Sequence, residues 1–183
     1  MTITVQPESF TFVAFDAAEI ERVARGLVAA IGIDRDVQIV VDETTPLART
    51  TAEITPTAIL IHAESGAFED TRRPRQQSET ATATAIGRVL LRARDRISGG
   101  FGEAPVDADL SLAQIAAWEA YCVGRLDRLG IPTNVQRWRY NFRNRHGFSD
   151  AADAAFDQLW SSDGIGWGEL AEISRGAVGA DPV

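Results

Sequence analysis

Two hydrophobic periods alternate along the chain, and their order outlines a fold. Ser9 to Phe15 alternates apolar and polar positions, with Phe10 and Phe12 on one face, and predicts a half-buried strand. Asp16 and Glu19 then stand at capping-box spacing. Behind them Ile20, Val23, Leu27, Val28 and Ile31 recur at helical intervals until Gly32. Val37 to Val41 is a β-branched run between acidic turn residues and predicts a strand. Thr50 to Ile54 and Thr57 to His62 predict two more, separated by Pro56. The connections are short, and a parallel crossover needs about a dozen residues or more, so antiparallel pairing is expected.

The period changes after a polar loop, Glu64 to Gln77, that contains Gly66 and Pro74. Ser78 to Ile97 carries the stripe Ile86, Val89, Leu90, Ala93 and Ile97, which predicts a helix ended by Gly99-Gly100. Ser111 and Gln114 form a second capping-box pattern. They open a helix through Ile115, Trp118, Cys122 and Leu126 to Leu129, with Gly130 as its stop. Shorter helices are expected over Asp150–Trp160 and Glu169–Ser174, and a frayed tail from Gly179 to Val183. Strands followed by helices predict an α+β fold: a small, mainly antiparallel sheet from the N-terminal third, covered by several helices from the C-terminal two-thirds. A chain of 183 residues suits one globular domain, strand-rich over 1–63 and helix-rich over 64–183.

Composition narrows the chemistry. With 45% hydrophobic and 24% charged residues the chain reads as globular rather than disordered. No apolar run approaches a membrane span, and one cysteine, Cys122, cannot form an internal disulfide, so a cytoplasmic protein is expected. All 18 basic residues are arginine. That excludes a Schiff-base lysine, a phosphate loop of the Walker type and a lysine general base. A net charge of −8 leaves no phosphate-neutralising surplus, so general nucleic-acid affinity is not expected.

The charge is unevenly spread. Thr133 to Phe148 holds Arg137, Arg139, Arg143 and Arg145 and no carboxylate, about +4 in all; the rest of the chain sets 14 arginines against 26 carboxylates, about −12. As a strand, the segment would put its arginines on one face and Trp138, Tyr140 and Phe142 on the other. As a helix, Thr133 to Gln136 caps it and Val135, Trp138 and Phe142 form the buried stripe. Cap and spacing agree on the helix. A cationic, aromatic segment on an acidic body points to a non-catalytic binding or self-association module. Arg137, Arg139, Arg143, Arg145, Trp138 and Tyr140 would engage an acidic protein surface, that of a second copy in a homodimer above all.

Two other classes compete with it. His62-Ala63-Glu64 has the H-x-E spacing of zinc deaminases, but that chemistry also needs a downstream P-C-x-x-C, which one cysteine cannot supply. What survives is a metal-dependent hydrolase, with His62, Glu64 and Asp70 as candidate ligands of a divalent ion and His62, Glu64 and His146 as candidate acid–base groups. No cofactor is otherwise expected. The loop arginines Arg72, Arg73 and Arg75 have the bidentate geometry for phosphate or carboxylate. The third class is DNA binding: the helix ending at Leu129, the turn Gly130-Ile131-Pro132 and an arginine-rich second helix outline a helix–turn–helix. No G-x-S-x-G elbow is present, and Gly164-Ile165-Gly166-Trp167-Gly168 reads as a tight turn placing Trp167 on the core.

Overall fold

Ile3 and Val5 open the architecture: they alternate with Thr4 and Gln6 in β1 (Ile3–Gln6) and are buried opposite Val37 and Ile39. The computed structural model describes residues 1–178. Gly179 to Val183, where fraying is expected, lie outside the described residues. After β1 come α1 (Ala17–Ile31), β2 (Asp36–Asp42), β3 (Thr50–Ile54), β4 (Ala58–Glu64), β5 (Glu69–Asp70), β6 (Arg73–Gln77) and α2 (Glu79–Ile97). Then follow α3 (Leu112–Arg128), α4 (Val135–His146), α5 (Asp150–Ser161) and α6 (Trp167–Ala177). The class is α+β. The contacts divide the chain inside α2, between Arg94 and Asp95, so β5, β6 and most of α2 group with the sheet.

In the first unit the sheet order is β1-β2-β4-β3. β1 runs parallel to β2, and β2 parallel to β4; β3 alone is antiparallel, at the edge. The expectation of a mainly antiparallel sheet is therefore corrected. β3 itself supplies the return path from β2 to β4, so two short turns and one edge strand do the work of a helical crossover. Val37, Ile39, Val41, Ile59, Ile61 and Ala63 form one buried face, and α1, which packs against β1, buries Ile20, Val23, Leu27, Val28 and Ile31. The opposite face carries exposed Thr4, Gln38, Thr51, Glu53 and His62. Six apolar side chains in parallel strands thus find partners on one side only.

Three local expectations also change. Ser9 to Phe15 is a loop. The N–H groups of Thr11 and Phe12 donate to the Glu43 carboxylate (2.7 and 2.6 Å) rather than to a strand, and Phe12 stays 59% exposed. The stretch expected as a loop from Glu64 to Gln77 contains the small hairpin β5–β6. Asp16 caps α1 by accepting from the Ala18 N–H, but no box closes: the Asp16 N–H goes to Gln77, and Glu19 pairs with Arg22.

The second unit packs α3 against α4, α5 and α6. Ser111 and Gln114 form the expected reciprocal cap of α3. Gly124 is buried where α3 crosses α5, and a methyl group there would lie 2.2 Å from the Trp160 carbonyl oxygen. Only glycine permits that approach. Trp167, the first residue of α6, packs with Phe101 and Trp118, and its N–H donates to the Phe101 carbonyl at 2.6 Å.

Candidate docking face and candidate clefts

The arginine-rich segment is helical. Asn134, one residue later than expected, is the cap, accepting from the Arg137 N–H at 3.1 Å; the Thr133 hydroxyl turns instead to Asp127. Gly147, at φ +98°, ends the helix. The inward side carries Phe142 and His146, 1% and 3% exposed and stacked at 3.8 Å, with Phe142 edge-on to Phe156 of α5. Trp138 and Val135 are half-buried.

The four guanidinium groups divide into two pairs. Arg143 makes a bidentate bond to Asp153 (2.7 and 2.6 Å), and this contact holds the Asp153 carboxyl below the usual carboxylate range. Arg139 bonds Asp157, lies 3.7 Å from Asp153 and covers the Phe156 ring. Both arginines are thus compensated by α5. Arg137 and Arg145 point away from it: they are exposed and make no side-chain hydrogen bond or ion pair with any described residue. On the same outward face Tyr140 (57% exposed) meets Phe148 (65% exposed) edge-on at 5.9 Å. Beside them the first half of α3 and the outer side of α4 enclose a groove of about 310 Å³, bordered by Leu112, Ile115, Glu119, Asn141, Asn144 and Arg145.

The candidate catalytic and metal residues are divided between the two units. The Ser174 hydroxyl lies 2.9 Å from His146 Nε2, and His146 Nδ1 lies 3.1 Å from the Phe142 carbonyl. A carbonyl oxygen can only accept, so Nδ1 carries the proton and Nε2 accepts from Ser174. Burial pushes the imidazole below its ordinary pKa, against the opposing pull of the Phe142 carbonyl. The geometry resembles a nucleophile–base pair, but Ser174 is 2% exposed and no carboxylate orients the ring, so the contact locks α4 to α6. His62 stands in the other unit, exposed, 3.9 Å from Glu53. Glu64 accepts from the Arg49 N–H, and Asp70 from the Arg72 N–H and Arg73 Nε. Among the described residues no three His, Cys, Asp or Glu side chains gather as metal ligands.

Two groupings went unforeseen. Asp95 and Arg125 form a buried ion pair completed by the Trp118 indole N–H. Their spacing, thirty residues apart on two helices, carries no local signal. In the first unit, a cleft of about 400 Å³ is lined by Phe12, Glu43, Glu69 and Arg75 among others. Reading the sheet as parallel would have revealed it, because the segments after β1, β2 and β4 then leave from one edge. No family model, curated protein or solved structure matches this chain.

Proposed function

We propose that the chain is a non-catalytic self-association module that docks through the outward face of α4 onto an acidic surface of a second copy. The observation that carries this is the uncompensated charge of exposed Arg137 and Arg145 on a helix that bears no carboxylate of its own and also exposes Tyr140, which meets exposed Phe148. Arginine and aromatic side chains together make up the energetic centre of many interfaces. The body outside this segment sets 14 arginines against 26 carboxylates, so another copy offers the counter-charge that α4 itself lacks. A two-fold arrangement uses each face and each acidic patch twice. Arg139 and Arg143 hold the helix in place from behind rather than reach outward. That division leaves a helix–turn–helix only half of its cations. The metal-dependent hydrolase draws no support from His62, Glu64 and Asp70, each of which is engaged elsewhere.

Sedimentation velocity at low ionic strength tests the proposal. The expected result is a concentration-dependent dimer that dissociates as salt shortens the Debye length to about 3 Å near 1 M. Tyr140→Ala and Arg145→Glu should each weaken it, without loss of helical signal. A strictly monomeric species at low salt and high concentration overturns it.

A further inference from the structure

Three parallel strands point their carboxyl ends at one edge of the sheet, and the cleft of about 400 Å³ opens there. Phe12 and Val13 come from the segment after β1, Glu43, Thr44 and Pro46 from that after β2, and Ser65 from that after β4. The hairpin β5–β6 closes the remaining side with Glu69, Pro74 and Arg75. Open α/β sheets place ligands at this edge, and the volume falls within the roughly 300–1,000 Å³ of small-molecule sites.

The walls are tied to one another by hydrogen bonds of the main chain. Glu43 accepts from the N–H groups of Thr11 and Phe12, and the Ala14 N–H donates to the Arg75 carbonyl at 2.8 Å. The Ser65 N–H donates to the Thr45 carbonyl at 3.1 Å. Gly66 sits so close to this turn that a methyl group on it would lie 2.3 Å from the Pro46 carbonyl oxygen. Such pre-organisation lowers the cost of binding.

Some polar groups of the cleft are already committed. The Thr44 hydroxyl donates to Asp42, the Ser65 hydroxyl to the Thr45 carbonyl, and one oxygen of Glu43 serves two N–H groups. Two are not: the Arg75 guanidinium and the Glu69 carboxylate make no hydrogen bond or ion pair with any described residue. Arg75 is also the one described non-glycine residue with positive φ, at +62°. Arg75 lies in β6 between the paired positions Arg73 and Gln77, where the register shifts; positive φ there favours glycine, so an arginine held in this conformation points to a use for its side chain.

We infer that this cleft binds a small zwitterion with an apolar body, an amino acid in chemical class. Arg75 takes the carboxylate in a bidentate contact, Glu69 with the remaining oxygen of Glu43 takes the ammonium, and Phe12, Pro46 and Pro74 cover the side chain. The charge balance argues against other small ligands. Two carboxylates face one guanidinium, so a phosphate dianion meets net repulsion, and a plain amine leaves Arg75 unanswered.

Titration of the full chain with L-phenylalanine, 3-phenylpropionate, 2-phenylethylamine and inorganic phosphate, followed by amide chemical shifts and calorimetry, tests this. L-Phenylalanine should bind at least about tenfold more tightly than either singly charged analogue. Phosphate should not compete. Arg75→Gly should erase the advantage of the amino acid over the amine without lowering the melting temperature, because glycine adopts the +62° backbone freely. Glu69→Gln should erase its advantage over the acid. Equal binding of acid and amino acid, displacement by phosphate, or no shift with any probe overturns the assignment.

Discussion

Arg125 and Arg145 lie on consecutive helices and meet opposite electrical fates. Arg125 is 8% exposed, with its terminal nitrogens 2.8 and 2.6 Å from the Asp95 oxygens and its guanidinium 3.9 Å above the Tyr121 ring. Asp95 accepts a third bond from the Trp118 indole at 2.8 Å. Arg145 is exposed and answers to no described group. The buried pair ties the end of α2 to α3, and its charges are compensated within the unit. On α4 the compensated arginines, Arg139 and Arg143, are those that face α5. On α4 the arginines left for recognition are those that α5 does not reach. Sequence density of arginine counts both kinds alike.

The largest expected effect comes from breaking the buried side of this contrast. Asp95→Ala leaves Arg125 desolvated and unpaired, and should cost about 3–5 kcal/mol in urea unfolding. The double replacement Asp95→Leu with Arg125→Met should recover most of that loss, since it is the orphaned charge that is costly. A single-variant loss under about 1 kcal/mol would place Asp95 and Arg125 with the weakly coupled surface pairs and end the comparison.

A smaller effect sharpens it at adjacent residues. His146 follows Arg145 directly but faces inward, where burial holds it neutral by lowering its pKa. Above the ordinary histidine value of about 6.5 both folded and unfolded chains carry the neutral ring, and its contribution to stability is complete. As pH falls below that value the unfolded chain binds a proton that the folded chain resists, so stability declines. Urea midpoints at pH 7 and 5.5 should therefore fall more for the parent chain than for His146→Gln. Equal slopes would mean that the ring is not held neutral.

The smallest effect concerns the outer arginines. Arg145→Gln should leave the urea midpoint unchanged while weakening dimerisation. Arg143→Gln should lower the midpoint slightly, in a manner removed by salt. If the two variants behaved alike in unfolding, the division into inward and outward arginines would carry no energetic meaning.

Helix positions were legible where the signal is local. Ser111 and Gln114 cap α3, Gly130 stops it and Phe142 is buried, because caps, glycine stops and the 3.6-residue period act within one or two turns. Legibility failed where the deciding partner is distant. Asp16 and Glu19 have the capping spacing, yet Gln77 and Arg22 take their bonds. Ser9 to Phe15 alternates like a strand, but a ladder needs a neighbour, and Glu43 claims its N–H groups. The direction of β4 depends on the path of β3, which hydrophobic alternation does not encode.

By itself, then, the chain's order of residues determined where most of its helices begin and end, which faces of β2 and β4 are apolar, and that cationic and aromatic residues are concentrated in one segment. These follow from spacing, capping and composition, which act between near neighbours. The tertiary structure alone decided that the sheet is mostly parallel, that Phe12, Glu43, Glu69 and Arg75 share a cleft, and that α5 satisfies half of the arginines of α4. Such outcomes depend on which distant groups compete for the same donor, acceptor or charge, and that competition is settled only when the elements pack.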